Sequence, residues 1–164
     1  MKGIFLLLTS LVLASSLSLS SCSARDYSDT VRCSELAETA KNCARSEGGY
    51  AVYGSDHIKY SFKNTDMHDD CCIIYSIDIN DINEIGIFHA RTAEGAEALA
   101  ELAQDYLTDM QQNQRTFIES YAPQEITKLD GARIYVLGNY VIYTILSAKD
   151  RDVVMQSIED ILQQ

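Results

Sequence analysis

Ala132-Arg133-Ile134-Tyr135-Val136-Leu137-Gly138-Asn139-Tyr140-Val141-Ile142-Tyr143-Thr144-Ile145-Leu146-Ser147 decides the fold of this chain. Two β-branched and aromatic runs, 132–137 and 140–147, flank Gly138-Asn139, a pair suited to positive φ in a tight turn. Both runs are apolar on both faces, so the hairpin lies centrally in a sheet or is covered on each side. Upstream, Cys71 to Ile79 reads as another strand, with Ile73, Tyr75, Ile77 and Ile79 facing one way against Ser76 and Asp78. Asn80-Asp81 turns the chain, and Glu84 to Arg91 returns as its partner.

Helical periodicity frames these hairpins. Asp29 to Glu47 spaces Cys33, Leu36, Ala37, Ala40, Cys43 and Ala44 at three and four residues, with Ser28 or Asp29 as its cap and Gly48-Gly49 as its stop. Residues 93–121 form a long helix. Ala96, Leu99, Ala100, Ala103, Leu107, Met110, Phe117 and Ile118 make its apolar stripe. Glu94, Glu97, Glu101, Asp105 and Asp109 make a solvated acidic face. Pro123, the only proline, ends it. Asp150 or Asp152 opens a last helix through Val153, Val154, Ile158, Ile161 and Leu162. Between Gly49 and Asp70 the pattern is least regular, and Ile58, Tyr60 and Phe62 alternate like a short strand. The expected fold is therefore α+β: an antiparallel sheet of about four strands (two hairpins) with three helices, in the order α-β-β-α-β-β-α, the helices packed mainly on one face.

The start of the chain has a different character. Met1-Lys2 is a short basic segment, and Ile4 to Leu8 and Leu11 to Ala14 form an apolar run of about a dozen residues, short of the ~20 that span a bilayer. Leu19-Ser20-Ser21-Cys22 follows. It resembles a bacterial lipobox, with leucine three positions before the cysteine and two small residues between. That resemblance implies removal of residues 1–21 as a lipoprotein signal peptide and diacylation of Cys22. Two acyl chains give stable attachment, because each buried methylene contributes about 0.8 kcal/mol. Residues 22–28 form a tether of at most ~20 Å, so the single domain at 29–164 sits close to the membrane.

The chain has 164 residues and a formal charge of −11, which becomes −12 without Lys2. So acidic a surface lacks the lysine and arginine clusters that neutralise phosphates, which excludes nucleic acid as a partner, and it also disfavours flat adsorption on anionic lipid. Cys33, Cys43, Cys71 and Cys72 remain beside Cys22. On one helix Cys33 and Cys43 are about 15 Å apart and cannot bridge each other. Adjacent strand residues Cys71 and Cys72 point to opposite faces. One disulfide from either to a helical cysteine and four buried free thiols are both compatible with the pattern.

Candidate chemistry is sparse. His68-Asp69-Asp70-Cys71-Cys72 is the densest set of metal-type ligands, and His68, Cys71 and Cys72 are its candidates, but no second ligand pair completes a site. Asp78 to Glu84 lacks the oxygen ligand and glycine of a calcium loop, having Ile82 and Asn83 there, so it reads as a turn held by Asn and Asp side chains. His57, His68 and His89 are scattered, and His89 reads as a half-buried edge residue rather than a base. No G-x-S-x-G, H-E-x-x-H, S-x-x-K or C-x-x-C occurs, so no catalytic residue and no cofactor is assigned. Of the ten tyrosines, Tyr135, Tyr140 and Tyr143 read as core residues with hydroxyls reaching the rim, rather than as an uncovered aromatic face.

Four segments together resemble a known family: Val52-Tyr53-Gly54-Ser55-Asp56, Asn83-Glu84-Ile85-Gly86-Ile87-Phe88, Phe117-Ile118-Glu119-Ser120-Tyr121-Ala122-Pro123 and Gly138-Asn139-Tyr140-Val141. This looks like the domain of unknown function 4358, found mostly in lipoproteins and secreted proteins of clostridia-like Firmicutes. The resemblance spans roughly residues 30–163 and implies a fold and an address but no activity. Where members often carry an arginine about three turns before the Tyr-x-Pro, this chain has Met110, with Arg115 a turn or so away. The functional expectation is a lipid-anchored binding or assembly module on the extracytoplasmic face of the cell membrane, partnered by an envelope protein or small ligand. The alternative is an extracytoplasmic enzyme or metal-binding protein using the His68 to Cys72 region.

Overall fold

The computed structural model describes residues 26–62 and 67–164. The expected signal peptide, Cys22 and most of the expected tether lie outside the described residues. The elements run α1 (Cys33–Cys43), β1 (Tyr50–Val52), α2 (Ser55–Phe62), β2 (His68–Ser76), β3 (Glu84–Ala90), α3 (Ala93–Asp109), a π-helical segment (Met110–Gln114), α4 (Arg115–Tyr121), a 3-10 turn (Pro123–Glu125), α5 (Ile126–Asp130), β4 (Arg133–Leu137), β5 (Tyr140–Ile145) and α6 (Ala148–Leu162).

The α+β class holds, and the expected counts of four strands and three helices do not. The strands form one five-stranded sheet in the order β1-β2-β3-β5-β4. Every neighbouring pair is antiparallel. Both expected hairpins are present. Because β3 and β4 each pair with β5, they run in the same sense, so the segment from α3 to α5 is a crossover between them. β2 occupies His68–Ser76 rather than Cys71–Ile79, leaving Ile77 and Ile79 exposed beyond its end.

Helices cover both faces of the sheet rather than mainly one. Alternate residues supply two cores. Cys72, Ile74, Ile85, Ile87, Tyr140 and Ile142 pack with Leu36, Ala37 and Ala40 of α1 and with Val154 and Ile158 of α6. On the opposite face Ile73, Phe88, Val141, Tyr143 and Ile145 pack with Ile58 and Phe62 of α2, Leu99, Ala103 and Leu107 of α3, and Ile118 and Leu129. The fully buried pair Ile73 and Ile74 shows both faces closed at one step of β2.

The helix boundaries have local causes. α1 starts at Cys33, not near Asp29, because Arg32 is still extended and has no side-chain cap. Asp70 on β2 takes that role, accepting a 2.7 Å hydrogen bond from the Cys33 N–H. Residues 58–62, expected as a strand, belong to α2: Ile58 and Phe62 are one helical turn apart and buried, while Tyr60 between them is 84% exposed. α3 is capped by Thr92, whose Oγ1 accepts from the Gly95 N–H. The helix expected over 93–121 is interrupted by the π-helical turn. Pro123 then opens the short turn leading to α5, the position where its missing N–H costs least. α6 is capped by Ser147 at 3.1 Å rather than by Asp150 or Asp152. The β4–β5 turn has Gly138 at φ 59°, as the Gly-Asn pair leads one to expect.

Candidate functional site

Glu84, the first residue of β3, carries its side chain into the α2–α3 face of the sheet. It is 4% exposed. A carboxyl there needs partners, and tyrosine hydroxyls from three separate parts of the chain supply them. Tyr143 of β5 donates to Oε1 at 2.7 Å and Tyr106 of α3 donates to the same oxygen at 2.8 Å. Tyr53, just after β1, lies 3.4 Å from Oε2. Burial pushes the Glu84 carboxyl above the ordinary glutamate range, and the hydrogen bonds from Tyr143, Tyr106 and Tyr53 oppose that only in part. Oε1 thus accepts from two hydroxyls, while Oε2 has only the longer contact with Tyr53.

The glycine two residues on makes this geometry possible. Gly86 pairs with Tyr143 across the sheet. A Cβ on Gly86 would lie 1.9 Å from Tyr143 Cε1, so only glycine lets the ring cross β3 and bring its hydroxyl to Glu84. Phe62, Phe88 and Tyr106 surround the same ring, with centroids 5.9, 6.4 and 5.4 Å away.

Glu84 sits at the inner end of a cleft of about 460 Å³. One wall is a three-ring stack in which Tyr53 lies between His57 (centroids 3.7 Å apart, 8° between planes) and Tyr75 (4.1 Å, 17°). The opposite wall comes from Tyr106, Met110, Gln114, Phe117 and Ile118, so the π-helical turn and α4 shape it. That turn re-aims the helix and places Phe117 at the mouth, a common use of such bulges. Tyr60 and Phe117 form an exposed rim. A neighbouring groove of about 870 Å³ shares Tyr60, Ser61, Tyr106 and Asp109 with the cleft and adds Lys59, Leu102 and Asp105. Asn83, 2% exposed, also lines the cleft. Its Nδ2 donates to the Tyr50 hydroxyl at 3.1 Å, while its buried Oδ1 has no partner among the described residues.

The loop below the cleft is held by charge. Lys128 of α5 contacts Asp81 at 2.9 Å and Glu125 at 2.5 Å, and Glu125 accepts from the Ile82 N–H at 3.2 Å. Burial alone would raise Asp81 and lower Lys128. The hydrogen bonds that Asp81 accepts from Lys128 and Ser46, and those that Lys128 donates to Glu125 and Asp81, outweigh it, leaving Asp81 below and Lys128 above their usual values.

The residues singled out in the sequence lie elsewhere. Cys72 points into the α1–α6 core and Cys71 packs on the opposite face. The His68 ring lies 5.7 Å from Phe88, and burial lowers its basicity. These donors do not converge. Among the described residues no group of three or more His, Cys, Asp or Glu is placed to hold a metal ion. Cys33, Cys43, Cys71 and Cys72 are free thiols, and burial pushes Cys71 up to about 11. His89 lies on central strand β3 rather than at a sheet edge, bonded through Nδ1 to Asp69 at 2.7 Å. The turn at Asp78 to Glu84 is held by Asp78 and Asp81, which accept from the backbone N–H groups of Asn80 and Asn83. Tyr140 and Tyr143 are fully buried and Tyr135 partly so, as core placement requires. Met110 lines the cleft, and Arg115 faces away to Asp130 and Glu119. His57 reaches Ser61 at 3.3 Å, one turn along α2, and burial lowers its pKa. No carboxylate orients that ring among the described residues.

In the sequence Glu84 reads as no more than a strand terminus, although two local signals mark it: an acid opens an otherwise apolar strand, and a glycine lies inside that strand two residues later.

The sequence model of the domain of unknown function (DUF4358) matches residues 53–146, and the chain belongs to that family. The match is narrower than 30–163. It begins at Tyr53 and takes in Glu84, Tyr106 and Tyr143, whereas α1 and α6, which cover the other face, lie outside it. No curated protein and no solved structure matches the chain.

Proposed function

We propose that this member of the DUF4358 family is a lipid-anchored binding protein of the cell envelope whose Glu84 cleft holds a small ligand. The observation that carries the binding reading is the cleft of about 460 Å³ with stacked aromatic walls and a buried carboxyl at its inner end. Clefts with aromatic walls and a few converging polar groups are where small molecules bind. The lipobox at Leu19 to Cys22 supports the anchor. Binding is favoured over catalysis because the one serine–histidine pair in the cleft lacks an orienting carboxylate and the His68 to Cys72 donors diverge.

A thermal-shift screen of the full chain against a small-molecule library tests this. A true ligand at 100 times its Kd stabilises by about 2.7 kcal/mol. The expected result is at least one compound that raises Tm for the wild type and not for Tyr60→Ala, a rim residue whose 84% exposure makes it dispensable for folding. Equal shifts in both proteins, or no shift from any compound, would sink the reading.

A further inference from the structure

The chemistry lining the cleft names its ligand class, an inference that rests on the binding reading above. The described lining residues include three acids, Asp81, Glu84 and Asp109, and no lysine or arginine. Asp81 is already engaged by Lys128. The least engaged acceptor in the lining is Glu84 Oε2, which has only the Tyr53 hydroxyl at 3.4 Å. A ligand completing that carboxylate must therefore donate. The walls are aromatic, made by the outer rings of the His57–Tyr53–Tyr75 stack, Tyr106 and, at the mouth, Phe117, and aromatic rings attract cations as well as planar apolar bodies.

We propose that the cleft binds an organic amine in its protonated form, an ammonium group on an apolar or aromatic body. The ammonium donates to Glu84 Oε2, and the body lies between the Tyr53 stack and Phe117. An incoming ammonium supplies the counter-charge that burial denies the carboxylate, which favours its ionised form. A neutral ligand of the same shape gains only the stacking, and an anion meets the acidic lining with no cation to receive it. The net charge of −11 adds a long-range field that concentrates cations near the surface.

Three probes of one shape and different charge test this by calorimetric titration of the full chain: benzylamine, benzyl alcohol and benzoate. Benzylamine should bind at least about tenfold more tightly than benzyl alcohol, and benzoate should be weakest. Glu84→Gln, which keeps an acceptor for the tyrosines, should erase the preference for the amine, bringing benzylamine to the affinity of benzyl alcohol. Should that variant fail to fold, Tyr60→Ala and Phe117→Ala serve instead and should weaken the amine more than the alcohol. If benzoate or benzyl alcohol binds as tightly as benzylamine, the amine assignment falls and the cleft still stands as a binding site. Absence of binding by all three probes overturns the assignment, and if the library screen is also empty the binding reading falls with it.

Discussion

At the scale of the residue, Gly86 and Glu84 make opposite demands on the same tyrosine. Gly86 must have no side chain so that Tyr143 can cross it, and Glu84 needs the hydroxyl that this crossing delivers. Gly86→Ala should destabilise the fold by about 3 kcal/mol, the upper range for overpacking a closed core. The cost should shrink in a Tyr143→Leu background, measured as a double-mutant cycle in urea. Equal costs in the two backgrounds would remove the ring as the cause. Glu84 makes stability depend on pH with a definite sign. Its folded pKa is raised above the ordinary 4.5 by burial. Folding therefore favours the protonated acid, and its contribution is full below 4.5 and lost as pH rises through the folded value. The stability difference between wild type and Glu84→Gln should fall across that window and be flat on either side. A difference that rises with pH there would mean that the tyrosine hydrogen bonds, not desolvation, set the carboxyl.

At the scale of elements, α5 and the β2–β3 loop are joined by Lys128 between Asp81 and Glu125. Lys128 is 17% exposed at its side chain, so the pair is neither a free surface ion pair nor fully desolvated. Lys128→Met should cost about 2 kcal/mol, between the values for exposed and buried pairs, because two carboxylates are left facing each other. The loss should be recovered in part by Asp81→Asn, read from denaturant midpoints. No loss at all would make the contact incidental. Much of the element pattern was legible. Both hairpins follow from period-two alternation and turn chemistry, and α3 and α6 from three-and-four spacing. α2 was not, because Ile58, Tyr60 and Phe62 fit period two while Ile58 and Phe62 alone fit a helical turn. Only the packing of Phe62 against Phe88 and Tyr106 chooses between them. The π-helical turn is likewise invisible in composition, since Met110 to Gln114 is ordinary helix-forming sequence.

For the whole molecule, the family match covers strands β2 to β5 and the cleft face, while β1 and the helices α1 and α6 that close the second face lie outside it. No helix among the described residues is long and apolar enough to cross a membrane. In the reading proposed above attachment rests on Cys22, and Cys22→Ser should shift the protein from the membrane fraction to the medium, followed by immunoblot of both. Full retention on the membrane would end the lipid-anchor proposal. What the sequence by itself determined is what depends on near neighbours: strand alternation, the Gly138 turn, helix faces and the acid balance. What only the tertiary structure decided depends on residues brought together from afar. The three hydroxyls on Glu84 lie 31, 22 and 59 residues away along the chain. A carboxyl's burial and its proton depend on those partners, and no local period records them. For the same reason helices on two faces, rather than one, had to wait for the fold: β2, β3 and β5 bury alternate residues in two different cores.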